Sequence, residues 1–232
     1  MKEVTIVFDL DGTLIDTAPD LINALNNVLE HIGLAGVEQE IARTWISFGA
    51  RHMIVQALEH AKKPVSEAEI DELLERFLDH YLKNIAALSR PFPGVLDALD
   101  RLLDHGARLA VCTNKREALA RALLDELSMT SRFQALTGRD TLATCKPDPA
   151  HILGTIAMAG GTPDKAVMVG DSLNDIKAAK AAFIPSIAVT FGYSKTKPSH
   201  LGADILIDDF SKLLQSLATL LNVDLAPSFD RS

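Results

Sequence analysis

Cysteine is scarce in this chain: two in 232 residues, Cys112 and Cys145, with no metal-ligand spacing between them. That excludes a disulfide-built fold and reads as two free thiols in a reducing compartment. Positive charge is also short, with 23 Lys and Arg against 31 Asp and Glu, a formal net charge of -8. No basic patch stands out to displace counterions, which argues against a nucleic-acid backbone as partner. No apolar run approaches the roughly 20 residues of a membrane span. The N-terminus passes directly into a strand-like stretch without a signal-peptide pattern. Internal repeats and low-complexity tracts are missing too. These absences lead to the expectation of a cytoplasmic protein that binds neither nucleic acid nor membrane.

What is present is an ordinary globular composition, 47% apolar and 23% charged, in a length suited to one large domain or one domain with an insertion. The stretch Val4-Thr-Ile-Val-Phe8 reads as a buried strand and runs straight into Asp9, Asp11, Gly12 and Thr13. If the backbone stays extended through Asp11, both carboxylates face one side and Leu10 packs on the other. Adjacent carboxylates at the edge of an apolar sheet are costly without a cation or hydrogen bonds, so a divalent metal is the first expectation. The plain alternative is a solvated loop with an Asx-turn.

From Thr17 to about Ile85 the pattern is helical throughout. Thr17 and Pro19 open a helix carrying Leu21, Leu25, Val28, Leu29 and Ile32, which Gly33 stops. Further helical stretches are read over Glu38 to Arg43 and His52 to Ala61. Ser66 with Glu69 forms a capping box for another, bearing Leu73, Leu74, Phe77, Leu78, Tyr81 and Leu82. Trp45 and Phe48 are expected to seal this unit or its seam. From Arg90 the texture changes to alternating helices and strands: strands over 108–113, 166–169, 186–189 and 205–207, and helices over 117–127, 149–159 and 175–182. The tail over 224–232 has no period and is expected to be loose. Strands separated by helices mean a parallel sheet covered on both faces. The fold class is therefore α/β, a Rossmann-like parallel sheet core over 1–16 and 90–232 with an all-helical insertion over 17–89.

Ligands in such sheets sit outside the carboxyl ends of the strands. Those ends carry Asp9, then Thr113-Asn114-Lys115, then Gly170-Asp171-Ser172-Leu173-Asn174-Asp175, while Lys146 opens the helix before the third. Together they suit phosphoryl transfer, which needs a nucleophile, a proton donor and donors on the phosphate oxygens. Asp9 is the candidate nucleophile and Asp11 the candidate acid and base. Thr113 and Asn114 could donate to phosphate at a helix start, and Lys146 could add charge and restrain Asp9. Asp171 and Asp175 could hold a hard cation, with Mg2+ the best match to oxygen ligands beside phosphate. Taken singly, Thr113 reads equally as a helix cap and Lys146 as a surface cation; their joint placement is what points to a site.

The four motifs Asp9 to Thr13, Thr113-Asn114, Lys146-Pro147 and Gly170 to Asp175 resemble, in order, those of the haloacid dehalogenase superfamily. The resemblance implies a phosphate held by Thr113 and Lys146, and magnesium held by Asp9, the Asp11 carbonyl and Asp171. It also implies that the helical insertion is a cap that covers the site and helps to choose the substrate. Asp11 argues for phosphate esters, because a departing halide needs no proton.

Within the superfamily, Asp9 to Leu21, Arg43 to Ile46 and Arg90 to Val95 are similar to bacterial phosphoglycolate phosphatases. Ser47-Phe48-Gly49 departs from the Gly-x-Gly expected there, and Phe191 to Ser194 keeps only part of a Gly-Tyr loop. Gly49 and Arg51 are candidate substrate contacts from the insertion, although an arginine at a helix start is more often solvated. The expected partner is a small phosphorylated metabolite, met by a monomer or homodimer. Pyrophosphatase, nucleotide or sugar phosphatase and phosphomutase activities stay open. A receiver-type signalling module would lack the insertion, and a silent binding protein would have lost one of Asp9, Asp11, Lys146 or Asp171.

Overall fold

The computed structural model describes residues 1–222, so the aperiodic tail over 224–232 lies outside the described residues. Its centre is β1 (Thr5–Phe8), buried along its length. β1 runs parallel to β4 (Arg108–Cys112) on one side and β6 (Ala166–Gly170) on the other. Beyond β4 lies β5 (Ala135–Thr137), and beyond β6 lie β7 (Ser186–Val189) and then β8 (Ile205–Ile207). Among the described residues these six strands form one parallel sheet in the order β5-β4-β1-β6-β7-β8. The chain thus departs from β1 toward both edges, which opens a crevice at its carboxyl end.

Strand residues are apolar without alternation because both faces are covered. Ile6, Phe8, Leu109 and Val111 lie in one cluster with Leu99 of α5 (Val95–Asp104), Leu123 of α6 (Glu117–Glu126) and Leu217 of α9 (Leu213–Leu221). Val7, Cys112 and Met168 point the other way. They meet Ile152 and Ile156 of α7 (Pro149–Met158) and Ala178 and Ala179 of α8 (Leu173–Ala181). A period of two along each strand therefore sorts its side chains between two helical layers.

Between β2 (Ile15–Asp16) and β3 (Arg90–Pro91), which pair antiparallel, the chain forms α1 (Ala18–His31), α2 (Gln39–Arg43), α3 (Ala50–His60) and α4 (Glu67–Lys83). The Ser66 capping box is formed: the Ser66 N–H donates to Glu69 Oε2 at 2.7 Å, and the Glu69 N–H to Ser66 Oγ at 3.3 Å. The apolar stripe of α1 and the Phe77 and Tyr81 face of α4 share one core with Trp45 and Met53.

The structure departs from the sequence reading in several places. Thr17 stands at the start of α1 but makes no side-chain cap bond. α3 starts two residues earlier than expected, at Ala50, because Gly49 at φ 87° supplies the turn ahead of it. Trp45 is buried as a sealing residue, whereas Phe48 is 57% exposed and seals nothing. Its ring lies instead beside His52, with the Lys195 ammonium 5.9 Å from its centroid. The short strands β2, β3 and β5 were not foreseen, since two or three residues carry no readable period.

Candidate active site

β1 delivers Asp9 one residue beyond its end, where the Asp9 N–H still donates to Val169 O of β6 at 2.9 Å. The carboxylate faces a cavity of about 430 Å³ between the carboxyl edge of the sheet and the helical insertion. Lys146 reaches it from the loop before α7. Its ammonium donates to Asp9 Oδ1 at 2.7 Å and to Asp175 Oδ1 at 2.6 Å, with the lysine itself 3% exposed. The loop is fastened on both sides: the Lys146 N–H donates to His151 Nδ1 at 3.2 Å, and Asn114 Nδ2 donates to the Lys146 carbonyl at 2.8 Å. Burial alone would lower the lysine's affinity for its proton. The Asp175 and Asp9 carboxylates override that and hold it charged.

Asp171 follows the last residue of β6 and is 3% exposed. Its Oδ2 accepts the Tyr193 N–H at 2.6 Å, and among the described residues no hydrogen bond reaches its other oxygen. The backbone closes tightly around this carboxylate. A Cβ at Gly12, where φ is +81°, would stand 2.7 Å from Asp171 Oδ2, and one at Gly192 would stand 2.3 Å from the same atom. Glycine at both positions is thus what lets the two loops meet over Asp171.

α8 starts at Leu173, two residues earlier than the sequence pattern suggested, so Asp175 is its third residue and lies in its first turn. Its Oδ2 accepts from Ser172 N–H at 3.0 Å and Ser172 Oγ at 2.6 Å. With Oδ1 on Lys146, both its oxygens are committed, which suits a bracing role. Asp9, Asp171 and Asp175 each bring an oxygen within 4.8 Å of the others. Burial pushes Asp9 up to about 7, with Asp175 and Asp11 adding repulsion against the pull of Lys146. Asp171 is likewise pushed above the carboxylate range by burial and by its acidic neighbours Asp9 and Asp175. One ammonium against three clustered carboxylates leaves the site short of positive charge. An all-oxygen donor set of this kind fits a hard divalent cation.

Asp11, Thr113 and Asn114 line the same cavity. Asp11 accepts from Lys115 Nζ at 2.9 Å on Oδ1 and 3.2 Å on Oδ2. Thr113 Oγ1 accepts the Lys115 N–H at 3.1 Å, which leaves its hydroxyl proton free to face a ligand. The Asn114 side chain is engaged with the Lys146 loop rather than with open space. Gly49 and Arg51 also line the cavity. Arg51, however, is paired with Glu67 and, at 3.6 Å, with Asp71, so the insertion's own acids hold its guanidinium.

Two participants were not singled out by the sequence reading. Lys115 entered only as one of the polar residues at a strand end. Tyr193 entered only within a loop, yet it ties the site to the insertion. Its hydroxyl donates to Asp16 Oδ1 at 2.5 Å and accepts the Ala18 N–H at 3.0 Å, and Arg43 lies over its ring at 4.7 Å.

The sequence matches the haloacid dehalogenase-like hydrolases over residues 6–189. The chain belongs to that family, and within it is a phosphatase. Among its relatives is the phosphoglycolate phosphatase of Agrobacterium fabrum, 48% identical over 211 residues, which are 91% of each chain. The phosphoglycolate phosphatase of Caulobacter vibrioides is 41% identical over 228 residues, 98% of this chain and 96% of the relative. A crystal structure of a predicted phosphoglycolate phosphatase from Haemophilus somnus superposes with a TM-score of 0.86 at 31% identity, covering 93% of this chain and 97% of the other.

Proposed function

We propose that this chain is a magnesium-dependent phosphate monoester hydrolase that works through an aspartyl-phosphate on Asp9, with 2-phosphoglycolate as its substrate. The observation that carries the chemistry is the buried Asp9 carboxylate in the cavity, held by Lys146, with the second acid Asp11 beside it. The substrate rests on the names of relatives that span nearly the whole chain, including those of Agrobacterium fabrum and Caulobacter vibrioides.

A Mg2+ ion held by Asp9, Asp171 and the Asp11 carbonyl, with Asp175 in support, would offset the charge of the phosphoryl oxygens. Asp9 attacks phosphorus while Lys146 keeps its carboxylate oriented. Thr113 and Lys146 donate to the phosphoryl oxygens, which spread the charge of the transition state. Asp11 gives its proton to the departing glycolate oxygen. It then takes one from the water that cleaves the aspartyl-phosphate, which releases phosphate and restores both acids. The two free thiols, Cys112 and Cys145, suit a reducing compartment, and we place the enzyme in the cytoplasm. Among the described residues no helix is long and apolar enough to cross a membrane.

The test is phosphate release from 2-phosphoglycolate, pyrophosphate, nucleoside monophosphates and sugar phosphates, with and without magnesium. The wild type should prefer 2-phosphoglycolate and require the metal. Asp9→Asn should lose more than about 10³-fold in kcat while keeping its circular dichroism spectrum. Preference for another ester would move the substrate, and turnover by Asp9→Asn would remove Asp9 as nucleophile.

A further inference from the structure

A substrate whose carboxylate adjoins its phosphate ester poses an electrostatic problem in this cavity. Asp9, Asp11, Asp171 and Asp175 already concentrate negative charge at the sheet edge, so a second anionic group needs a cation of its own. Asp11 fixes where that cation must be. The carboxylate of 2-phosphoglycolate is bonded to the carbon bearing the leaving oxygen, so its oxygens lie roughly 3–4 Å from that oxygen. A group that protonates the leaving oxygen therefore has the substrate carboxylate as a close neighbour.

The basic residues lining the cavity can be compared on this criterion. Lys146 is committed to Asp9 and Asp175. Arg51 is committed to Glu67 and Asp71. Arg116 and Arg139 are exposed at the rim. Lys115 alone stands at Asp11, with Nζ 2.9 Å from its Oδ1 and a side chain only 6% exposed. A second feature packs against it. Tyr81 of α4 is 1% exposed, lines the same cavity, and has a hydroxyl with no hydrogen-bond partner among the described residues. The Lys115 ammonium sits 4.5 Å from the centroid of its ring. A buried hydroxyl without a partner costs free energy unless a ligand meets it.

We propose that Lys115 of the core and Tyr81 of the insertion together form the carboxylate subsite, and that they determine the preference for a substrate carrying a carboxylate next to its ester oxygen. In the free enzyme Asp11 occupies Lys115. In the complex the substrate carboxylate shares the ammonium and takes the Tyr81 hydroxyl as a second donor. The proposal rests on the reading of Asp11 as proton donor to 2-phosphoglycolate. It assigns the recognition to Lys115 rather than to Arg51.

The experiment compares kcat/KM for 2-phosphoglycolate with that for its carboxamide, which keeps the phosphate and lacks the carboxylate charge, in the wild type, Lys115→Met, Lys115→Gln and Tyr81→Phe, all with saturating Mg2+. Glutamine retains a hydrogen bond to Asp11, so that variant covers the case in which methionine does not fold. The wild type should favour the acid. Either Lys115 variant should shrink that preference by at least about 30-fold, chiefly through a higher KM for the acid, and Tyr81→Phe by about 5-fold. A preference left intact while both substrates slow in parallel would overturn the proposal, because Lys115 would then serve Asp11 alone. A wild type with no preference for the acid would overturn the 2-phosphoglycolate reading itself, and the subsite with it.

Discussion

Lys146 is a nearly buried ammonium between two carboxylates, 2.7 Å from Asp9 and 2.6 Å from Asp175, and its removal is a stability question as much as a catalytic one. Lys146→Met keeps most of the apolar stem and deletes the charge. Asp9 and Asp175 then face each other unpaired, with Asp171 beside them. Breaking a buried pair in this way costs about 3–5 kcal/mol. Urea unfolding without divalent cation should show a loss of that size, and added Mg2+ should return part of it. An unchanged midpoint would mean that the three carboxylates are solvated enough to need no lysine. The placement of Asp9, Asp11 and Lys146 around one cavity was legible because each stands at a strand or helix end. The partners of Lys115 and Tyr193 were not. Tyr193 meets Ala18 across 175 positions of sequence, and Lys115 meets Asp11 across 104, separations that no local pattern encodes.

The elements that join the sheet to the insertion are short, and side chains rather than strand length hold them. β2 and β3 pair over two residues each, Ile15 with Pro91 and Asp16 with Arg90. In the first turn of α1, Asp20 is 1% exposed and accepts from Leu88 N–H at 3.0 Å, Ser89 N–H at 2.7 Å and Ser89 Oγ at 2.6 Å. The outgoing and returning chains are thereby tied together as one strap. Asp20→Ala leaves the buried Ser89 N–H without its acceptor and should cost about 2–3 kcal/mol in chemical unfolding. Asp20→Asn, which keeps an acceptor oxygen, should cost less; equal losses would show that shape rather than hydrogen bonding matters there. Sequence periodicity revealed α1, α4 and the strands around β1 because each buries a long apolar face. It missed the strap and β5, whose pairing depends on where the neighbouring strands already lie, as in the register Ala110 to Ala135. It also placed the start of α8 two residues late, at Asp175, which is instead the third helical residue and closes the capping box opened by Ser172.

At the scale of the whole molecule, the cavity has walls from two sources: Asp9, Asp11, Lys115, Lys146 and Asp171 from the sheet edge, and Gly49, Arg51, Phe77 and Tyr81 from the insertion. We propose that residues 17–89 act as a cap that moves on the strap, since a substrate must enter and water must then be excluded. Few polar ties outside the strap oppose such movement. Arg43 reaches Asp16 at 3.5 Å from a partly exposed position, an ion pair of the kind that contributes little. The contact of Lys115 with Tyr81 crosses the cavity itself. A ligand can shift the equilibrium only through contacts that differ between the two states, and a phosphate mimic bound at Asp9 offers these by filling the cavity between Asp9 and Lys146 of the core and Phe77 and Tyr81 of the insertion. Beryllium fluoride with Mg2+ should therefore lower the radius of gyration in solution scattering and slow amide exchange in α3 and in α4 around Tyr81, while exchange in β1 and β6 stays the same. Lys115→Met should weaken the slowing in α4, because it removes the core side of the contact. Identical scattering and exchange with and without the mimic would show that the insertion is a fixed wall, and substrate would then have to enter through an opening that exists without movement.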